Sequence, residues 1–398
     1  MKDIELEIID YGYDGEGVAR SGGKVFFVPK TIVGERVKAQ IVKENAKFCH
    51  CKLIEVIHKA GERQDSLCPY FDKCGGCNFQ HISYEKELEI KKSRLKKEFE
   101  KVGYFGEIPL VSSEEVYGYR NKIRFKVKNG QTGFFEEKTN DFLSVKKCLL
   151  INDKMNNIVD KVNAFLKTIR TKVDEVVLNL VNGKIIVDFV SKEKLGKDFA
   201  PSFDFVYLNH KGDTVLGEEQ GIKYNFVGDM FRQVNESVAK SIYGEVEKKA
   251  SGKVIINAFS GAGVLSGILA KKASKVYGIE LNKNAHESAE EMKKMNNILS
   301  LENICGYVEK EIDKIEEQID CIVLDPPRAG CHRGVIDYIL TKQIPSIIYV
   351  SCNPATLVRD LKLFQEKFDI ESVKGFDMFP RTANIETMVV LKLKSLTK

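Results

Sequence analysis

The chain has 398 residues, 43% of them hydrophobic and 30% charged, with 62 Lys and Arg against 57 Asp and Glu for a formal net charge of +5. That length exceeds one ordinary hydrophobic core, and that balance excludes a disordered chain. No apolar run reaches the roughly 20 residues a membrane span needs.

The acidic opening MKDIELEIIDYG lacks the basic-then-apolar layout of a signal peptide, so a cytoplasmic protein with no membrane partner is expected. Ten cysteines in such a setting should be reduced, and a cluster of them points to metal, an iron–sulfur cluster or catalysis. The mild positive charge is compatible with an RNA partner but does not demonstrate one.

Residues 1–58 read as short strands (IELEIIDYG, VFFVPK, ERVKAQIVKEN, CKLIEVI) separated by glycine turns, the size of a small oligonucleotide-binding barrel. Cys49 and Cys51 flank His50 in one of these strands and read as incidental.

Within CPYFDKCGGC, Cys68, Cys74 and Cys77 are spaced C-x5-C-x2-C, and Gly75 and Gly76 let the backbone wrap tightly. Three thiolates this close suit a metal centre, with Cys148 in VKKCLLIN the best fourth ligand. Zinc would also accept four cysteines, but the first spacing is long for a zinc knuckle, so a [4Fe–4S] cluster is preferred.

A helix is expected over residues 83–102. Its early turns carry Glu85, Glu87 and Glu89, its later turns Lys91, Lys92, Arg94, Lys96 and Lys97, as the helix dipole favours. The charges read as a solvated face opposite Leu88, Leu95, Phe99 and Val102.

In YRNKIRFKVK, the cations Arg120, Lys122, Arg124, Lys126 and Lys128 alternate with apolar residues. A strand places all five on one face, a phosphate-contacting surface for RNA, or otherwise a lysine-protected edge strand.

From about Gly252 the apolar strands KVIINAF, KVYGIEL, DCIVLDPP and SIIYVSC alternate with helix-length segments, the pattern of an open, mostly parallel α/β sheet. INAFSGAGVLSG places Gly261 and Gly263 between a strand and a helix, and Glu280 ends the next strand, where an acid can accept ribose hydroxyls. The run G-x-G-x-x-x-G favours S-adenosylmethionine over a dinucleotide. Asp325 begins DPPRAG at another strand end, a rigid shelf where such sheets bind ligands. Cys352 in SCNPATLVRDL stands before a proline-started helix, where the dipole would favour its thiolate as a nucleophile. Glu386 starts a later strand and is a base candidate if the fold brings it to the same pocket.

Taken together, CPYFDKCGGCNFQHISYEKELEIKK, YRNK, FRQVN, DPPRAG and YVSCNPATLVRDL resemble the RNA uracil-5-methyltransferase family over almost the whole chain, in particular its 23S rRNA (uracil-5-)-methyltransferases. The resemblance implies a Rossmann-like S-adenosylmethionine methyltransferase domain (241–398), an N-terminal OB-like TRAM barrel (1–58) and a central α+β iron–sulfur domain (59–240). It implies Cys68, Cys74, Cys77 and Cys148 as ligands of a [4Fe–4S] cluster. Gln233, Phe259, Glu280 and Asp325 would contact S-adenosylmethionine, Cys352 would be the nucleophile and Glu386 the base. The expected product is 5-methyluridine in 23S rRNA, made by a monomer.

Two stretches depart from the family pattern. Asn257–Gly261 reads Asn-Ala-Phe-Ser-Gly where Asp-Leu-Phe/Tyr-Cys-Gly is usual, and Arg381 and Asn384 stand where two histidines are usual. The rival readings are a tRNA uridine methyltransferase, whose kind generally lacks the TRAM domain and cluster, and a non-catalytic RNA-binding iron–sulfur protein.

Overall fold

The computed structural model describes residues 2–194, 199, 201–228 and 230–395. The chain forms two compact units that cut across the three expected stretches. One comprises Met1–Leu95, Phe135–Leu143 and Phe379–Asn384, the other Lys96–Phe134, Ser144–Met378 and Ile385–Lys398.

In the first unit, strands Asp3–Glu7, Asp10–Tyr11, Gly17–Ser21, Lys24–Val28, Arg36–Glu44 and Phe48–His58 form one sheet. Asp3–Glu7 pairs with Arg36–Glu44 at one edge, and Asp10–Tyr11, the continuation of the same segment, pairs with Gly17–Ser21 at the other. Because one segment occupies both edges, the sheet closes as a barrel and loses its exposed edges. Leu6, Ile8, Phe26, Val28 and Val37 fill it, together with Cys49 and Cys51. These two cysteines are small apolar fillers, consistent with their incidental reading.

The segment after the barrel is tied back to it by charge. Arg63 donates from Nε to Glu35 Oε1 at 2.5 Å and from Nη2 to Oε2 at 2.7 Å, and Lys30 Nζ donates to the Asp72 carbonyl at 2.9 Å.

The expected helix spans Tyr84–Glu100, but two of its charges are not on a solvated face. Glu87 and Lys91 are fully buried, one turn apart, with Lys91 Nζ 2.7 Å from Glu87 Oε1. Arg381, near the other end of the chain, donates its backbone N–H to Glu87 Oε1 at 2.8 Å and Nη1 to the Ile82 carbonyl at 2.9 Å. Its guanidinium lies 3.8 Å from Glu87. Lys91 Nζ also donates to the Phe379 carbonyl at 3.2 Å. The solvated-face expectation fails because the partners that make burial tolerable come from a distant segment, invisible to local periodicity.

The second unit holds two sheets that position the site. In the smaller, Lys122–Lys128 and Lys184–Val190 both pair antiparallel with Glu175–Val181. Helix Asp153–Leu166 buries Met155, Val159, Val162 and Leu166 against Phe125, Val176, Leu178 and Phe189. The larger sheet runs, edge to edge, Leu301–Cys305, Lys275–Glu280, Val254–Ala258, Cys321–Leu324, Ser346–Ser351, Glu386–Leu393, Phe368–Phe376 and Leu110–Val111. Its first five strands are parallel, and Glu386–Leu393 runs antiparallel between Ser346–Ser351 and Phe368–Phe376. Strands buried on both faces read as unbroken apolar runs, which is why IVL and IIYV were legible in the sequence.

Lys91→Met should lower unfolding stability by about 3 kcal/mol, because it leaves a buried carboxylate short of its partner. A solvated lysine would lose no more than about 0.5 kcal/mol. Urea unfolding of the two proteins separates these outcomes.

Candidate active site

The order of the parallel strands reverses between Val254–Ala258 and Cys321–Leu324, and ligands of open α/β sheets bind beyond the carboxyl ends at such a point. An open cleft of about 570 Å³ lies there, lined by Gln233, Phe259, Gly261 and Asp325 among others. Four of the expected cofactor residues thus share one wall system.

The turn after Val254–Ala258 is sharply bent. Phe259, Gly261 and Gly263 all have left-handed backbone, with φ of 64°, 56° and 82°. At Gly263 a Cβ would stand 2.8 Å from Met292 Cε and 2.9 Å from Ala289 Cβ, so only glycine fits there. Glu280 is not among the residues lining the cleft; its Oε2 accepts the Gly261 N–H at 2.8 Å and its Oε1 the Asn282 N–H at 2.7 Å. Its carboxylate thus ties the glycine turn to the end of the next strand.

A hairpin of Val215–Glu219 and Ile222–Phe226 supplies lining residues that no sequence motif announced. Glu219 Oε1 accepts from Tyr224 Oη and from Arg232 Nε, both at 2.9 Å. Arg232 also donates to Glu236 Oε1 at 3.1 Å and to the Leu180 carbonyl at 3.0 Å. Next to it, the Gln233 carbonyl accepts from Asn121 Nδ2 at 3.1 Å. Arg232 also lines the cleft and neutralises Glu219, so Asp325 is the lining acid that suits a cationic ligand.

The second cluster follows from strand register. Ser351 pairs with Thr387 at the end of an antiparallel ladder, so the next residues along the two strands are Cys352 and Glu386. Glu386 is 5% exposed. Burial first, then the Asp325 charge, pushes its carboxyl up to about 8, and Arg328 opposes this. Burial likewise pushes Asp325 up to about 7.

The Cys352 thiol is raised above its ordinary value by burial, then by Glu386, with Asp325 adding to it and Arg328 pulling it down by charge and a hydrogen bond. The expected dipole-favoured thiolate is therefore outweighed by desolvation and two neighbouring carboxyls. Arg328 is the member of this cluster that inspection of DPPRAG left unassigned.

The shelf carrying Asp325 and Arg328 is held by the helix Pro354–Phe364 that follows Cys352. Asp360, 1% exposed, accepts the Cys331 N–H at 2.9 Å and Tyr349 Oη at 2.6 Å. Thr356 Oγ1 donates to the Arg328 carbonyl at 3.1 Å. At Gly330, with φ of 84°, a Cβ would stand 2.5 Å from both Arg359 and Asp360.

The remaining expected site residues fall elsewhere. Lys122, Arg124, Lys126 and Lys128 are on the strand Lys122–Lys128, but Glu175 of the neighbouring strand pairs with both Arg124 and Lys126. Arg120 precedes that strand, its guanidinium 5.7 Å from the Tyr119 ring centroid.

Cys68, Cys74 and Cys77 belong to the first unit and Cys148 to the second. Among the described residues no three His, Cys, Asp or Glu gather as a metal-holding group. The loop's chemistry nonetheless suits thiolates. Cys74 Sγ accepts the Gly76 N–H at 3.4 Å, Cys77 Sγ accepts from Gln80 Nε2 at 3.2 Å, and a Cβ at Gly75 would crowd Glu137 Cα at 3.2 Å.

A parallel sheet reversing at a glycine turn, with a cleft there beside a cysteine and a buried carboxyl, fits the class of S-adenosylmethionine-using methyltransferases. Residues 202–394 match the tRNA (Uracil-5-)-methyltransferase family and residues 2–54 the TRAM domain. An uncharacterized RNA methyltransferase of Clostridium acetobutylicum is 31% identical, over 98% of this chain and 97% of that one. A second from Clostridium tetani is 31% identical, over 99% and 98%. The crystal structure of Pyrococcus abyssi tRNA (uracil-54, C5)-methyltransferase in complex with S-adenosyl-L-homocysteine superposes with a TM-score of 0.83 at 25% identity, covering 97% of this chain and 99% of that one. The chain belongs to the RNA (uracil-5-)-methyltransferase family and is an S-adenosylmethionine-dependent enzyme with an N-terminal TRAM domain. No helix among the described residues is long and apolar enough to cross a membrane.

A carboxyl with a raised pKa favours folding at low pH, and that advantage is lost as pH rises from the ordinary value of 4.5 through about 8. At about 1.4 kcal/mol per pH unit, wild type should lose up to roughly 4 kcal/mol relative to Glu386→Gln over that range. Thermal unfolding of both proteins from pH 5 to 9 checks this, and parallel curves would contradict the burial of Glu386.

Proposed function

We propose that the enzyme makes 5-methyluridine in 23S rRNA, with Cys352 as nucleophile and Glu386 as base. The observation that carries the chemistry is the strand register that brings Cys352 and Glu386 together beside Asp325, which also lines the cleft, while 23S rRNA as the substrate rests on the sequence resemblance. S-adenosylmethionine, when bound by Gln233, Phe259, Gly261, Gly263, Glu280 and Asp325, would supply an electrophilic methyl group.

Uracil C5 is too weak a nucleophile to take that methyl unaided. The Cys352 thiolate adds to C6, forming an S–C6 bond and pushing the C5–C6 π pair toward O4 as an enolate. Arg328, the cation that pulls the Cys352 thiol down, favours the thiolate this requires. C5 would then take the methyl as its bond to the sulfonium sulfur breaks, leaving a neutral thioether, and Glu386 as carboxylate removes the C5 proton so that the S–C6 bond breaks and the double bond returns. The buried Glu386 binds a proton more strongly than an ordinary carboxylate, which suits this abstraction. The uracil must leave any stack to reach Cys352, so a single-stranded or flipped base is the substrate form.

This reading divides the chain into a TRAM-like barrel (1–58), a central region (59–240) and a catalytic region (241–398). Within the central region, Cys68, Cys74 and Cys77 with Cys148 would hold a [4Fe–4S] cluster. The N–H donors to Cys74 and Cys77 support it, since hydrogen bonds to sulfur stabilise cluster thiolates. Cys148 enters through the sequence resemblance. Its backbone N–H and carbonyl are both clamped by the Asn156 side chain at 3.0 Å.

A second reading, a tRNA uridine, is favoured by the likeness to the Pyrococcus abyssi enzyme. That likeness spans 97% of this chain, so the N-terminal region no longer weighs against it.

Incubation with S-adenosylmethionine and 5-fluorouridine-containing 23S rRNA fragments should yield a covalent adduct that Cys352→Ala abolishes. Adduct with tRNA transcripts alone would move the substrate to tRNA, and no adduct with either would defeat the mechanism. Anaerobically purified protein should be brown with about four irons per chain. A colourless zinc-loaded protein would exclude the cluster.

A further inference from the structure

The barrel's outer face carries an aromatic group that its core does not use. Register places Val18, Phe27, His50 and Lys43 on one rung across four strands, and Arg20, Val25 and Phe48 on the next. The rung between them turns inward, with Ala19, Phe26 and Cys49 in the core. Paired residues share a face, so Phe27, Phe48 and His50 stand together on the outside.

Their rings make an angled shelf. Phe27 and His50 stack at 5.5 Å with 28° between planes, and Phe48 stands edge-on to both, at 6.2 Å and 73° from Phe27 and 5.4 Å and 82° from His50. Phe48 remains 37% exposed. Exposed Arg20 and Lys43 end the two rungs, and exposed Lys52 follows His50 on the same face, opposite Gln40. None of these three cations forms a salt bridge among the described residues.

Unpaired cations around an open aromatic surface match single-stranded nucleic acid, where bases stack on rings and phosphates meet the charges. A protein partner would more often meet a desolvated patch whose core is poor in charge. Resting on the RNA methyltransferase reading, we infer that this face of the barrel binds an unpaired nucleobase of the substrate RNA. The base stacks on Phe48 in the angle it makes with the Phe27–His50 pair, while Arg20, Lys43 and Lys52 neutralise the flanking phosphates. The site lies on a different domain from the reacting uracil, so it acts on RNA affinity and leaves the chemistry unchanged.

The test uses the full-length protein and a fluorescein-labelled U12 RNA, followed by anisotropy, with a blunt RNA duplex as the second probe. Phe48→Leu keeps apolar bulk and loses the π-face; it should weaken U12 binding roughly 5- to 100-fold. Phe48→Trp should bind at least as tightly as wild type. Lys43→Gln should reduce the slope of log affinity against log salt by about 0.7.

With an RNA that wild type methylates, Phe48→Leu should raise KM and keep kcat. Unchanged U12 affinity in Phe48→Leu overturns the inference while leaving the methyltransferase reading intact, and assigns the face to another partner. Equal losses for U12 and duplex overturn base stacking. A wild-type protein that neither binds U12 nor methylates any RNA overturns the RNA reading itself, and this inference with it.

Discussion

The cluster at the strand ends depends on partly withdrawing two carboxyls and a thiol from water beside one cation. Asp325, Glu386 and Cys352 each bind protons more strongly than in solution, and burial is the largest cause in every case. Arg328 works against that for the thiol and for Glu386. Asp325 belongs to both halves of the site, since it lines the cleft and also raises Glu386 and Cys352. A cation in the cleft would therefore be felt electrostatically at Glu386 and Cys352 through Asp325.

Such a cluster needs a rigid frame, because desolvated groups gain nothing if their surroundings can open to water. Asp360 supplies much of it, joining the Cys331 backbone to Tyr349 Oη beneath the Asp325–Gly330 shelf. The same helix that begins after Cys352 thus fixes the loop bearing Asp325 and Arg328. At the cleft's other wall, Arg232 links Glu219, Glu236 and Leu180, which sets the backbone beside Gln233. Both frames are charge-assisted networks with their partners satisfied, the condition under which buried polar groups specify geometry.

Much of this was legible from residues alone because parallel α/β sheets write themselves plainly. Fully buried strands are apolar runs, and ligand residues sit just past their carboxyl ends, so Phe259, Asp325 and Cys352 announced themselves by position. Glu219, Tyr224 and Arg232 did not, because a hairpin with ordinary alternation gives no sign of which pocket it will wall. The helix Tyr84–Glu100 misled in the same way. Glu87 and Lys91 look like surface charges until Arg381 arrives from the far end of the chain. That residue, which stands where the family usually has a histidine, has its backbone N–H and guanidinium engaged with Glu87, Phe79 and Ile82.

The sequence by itself determined the class of sheet, the glycine turn at its reversal and the placing of Asp325, Cys352 and Glu386 at strand ends, because these follow from local periodicity. Only the tertiary structure decided their ionisation. Cys352 reads from its helix as a favoured thiolate, whereas in the fold its thiol is raised. Proton affinity is a sum over every neighbour and over lost water, and neither is encoded next to the residue that titrates.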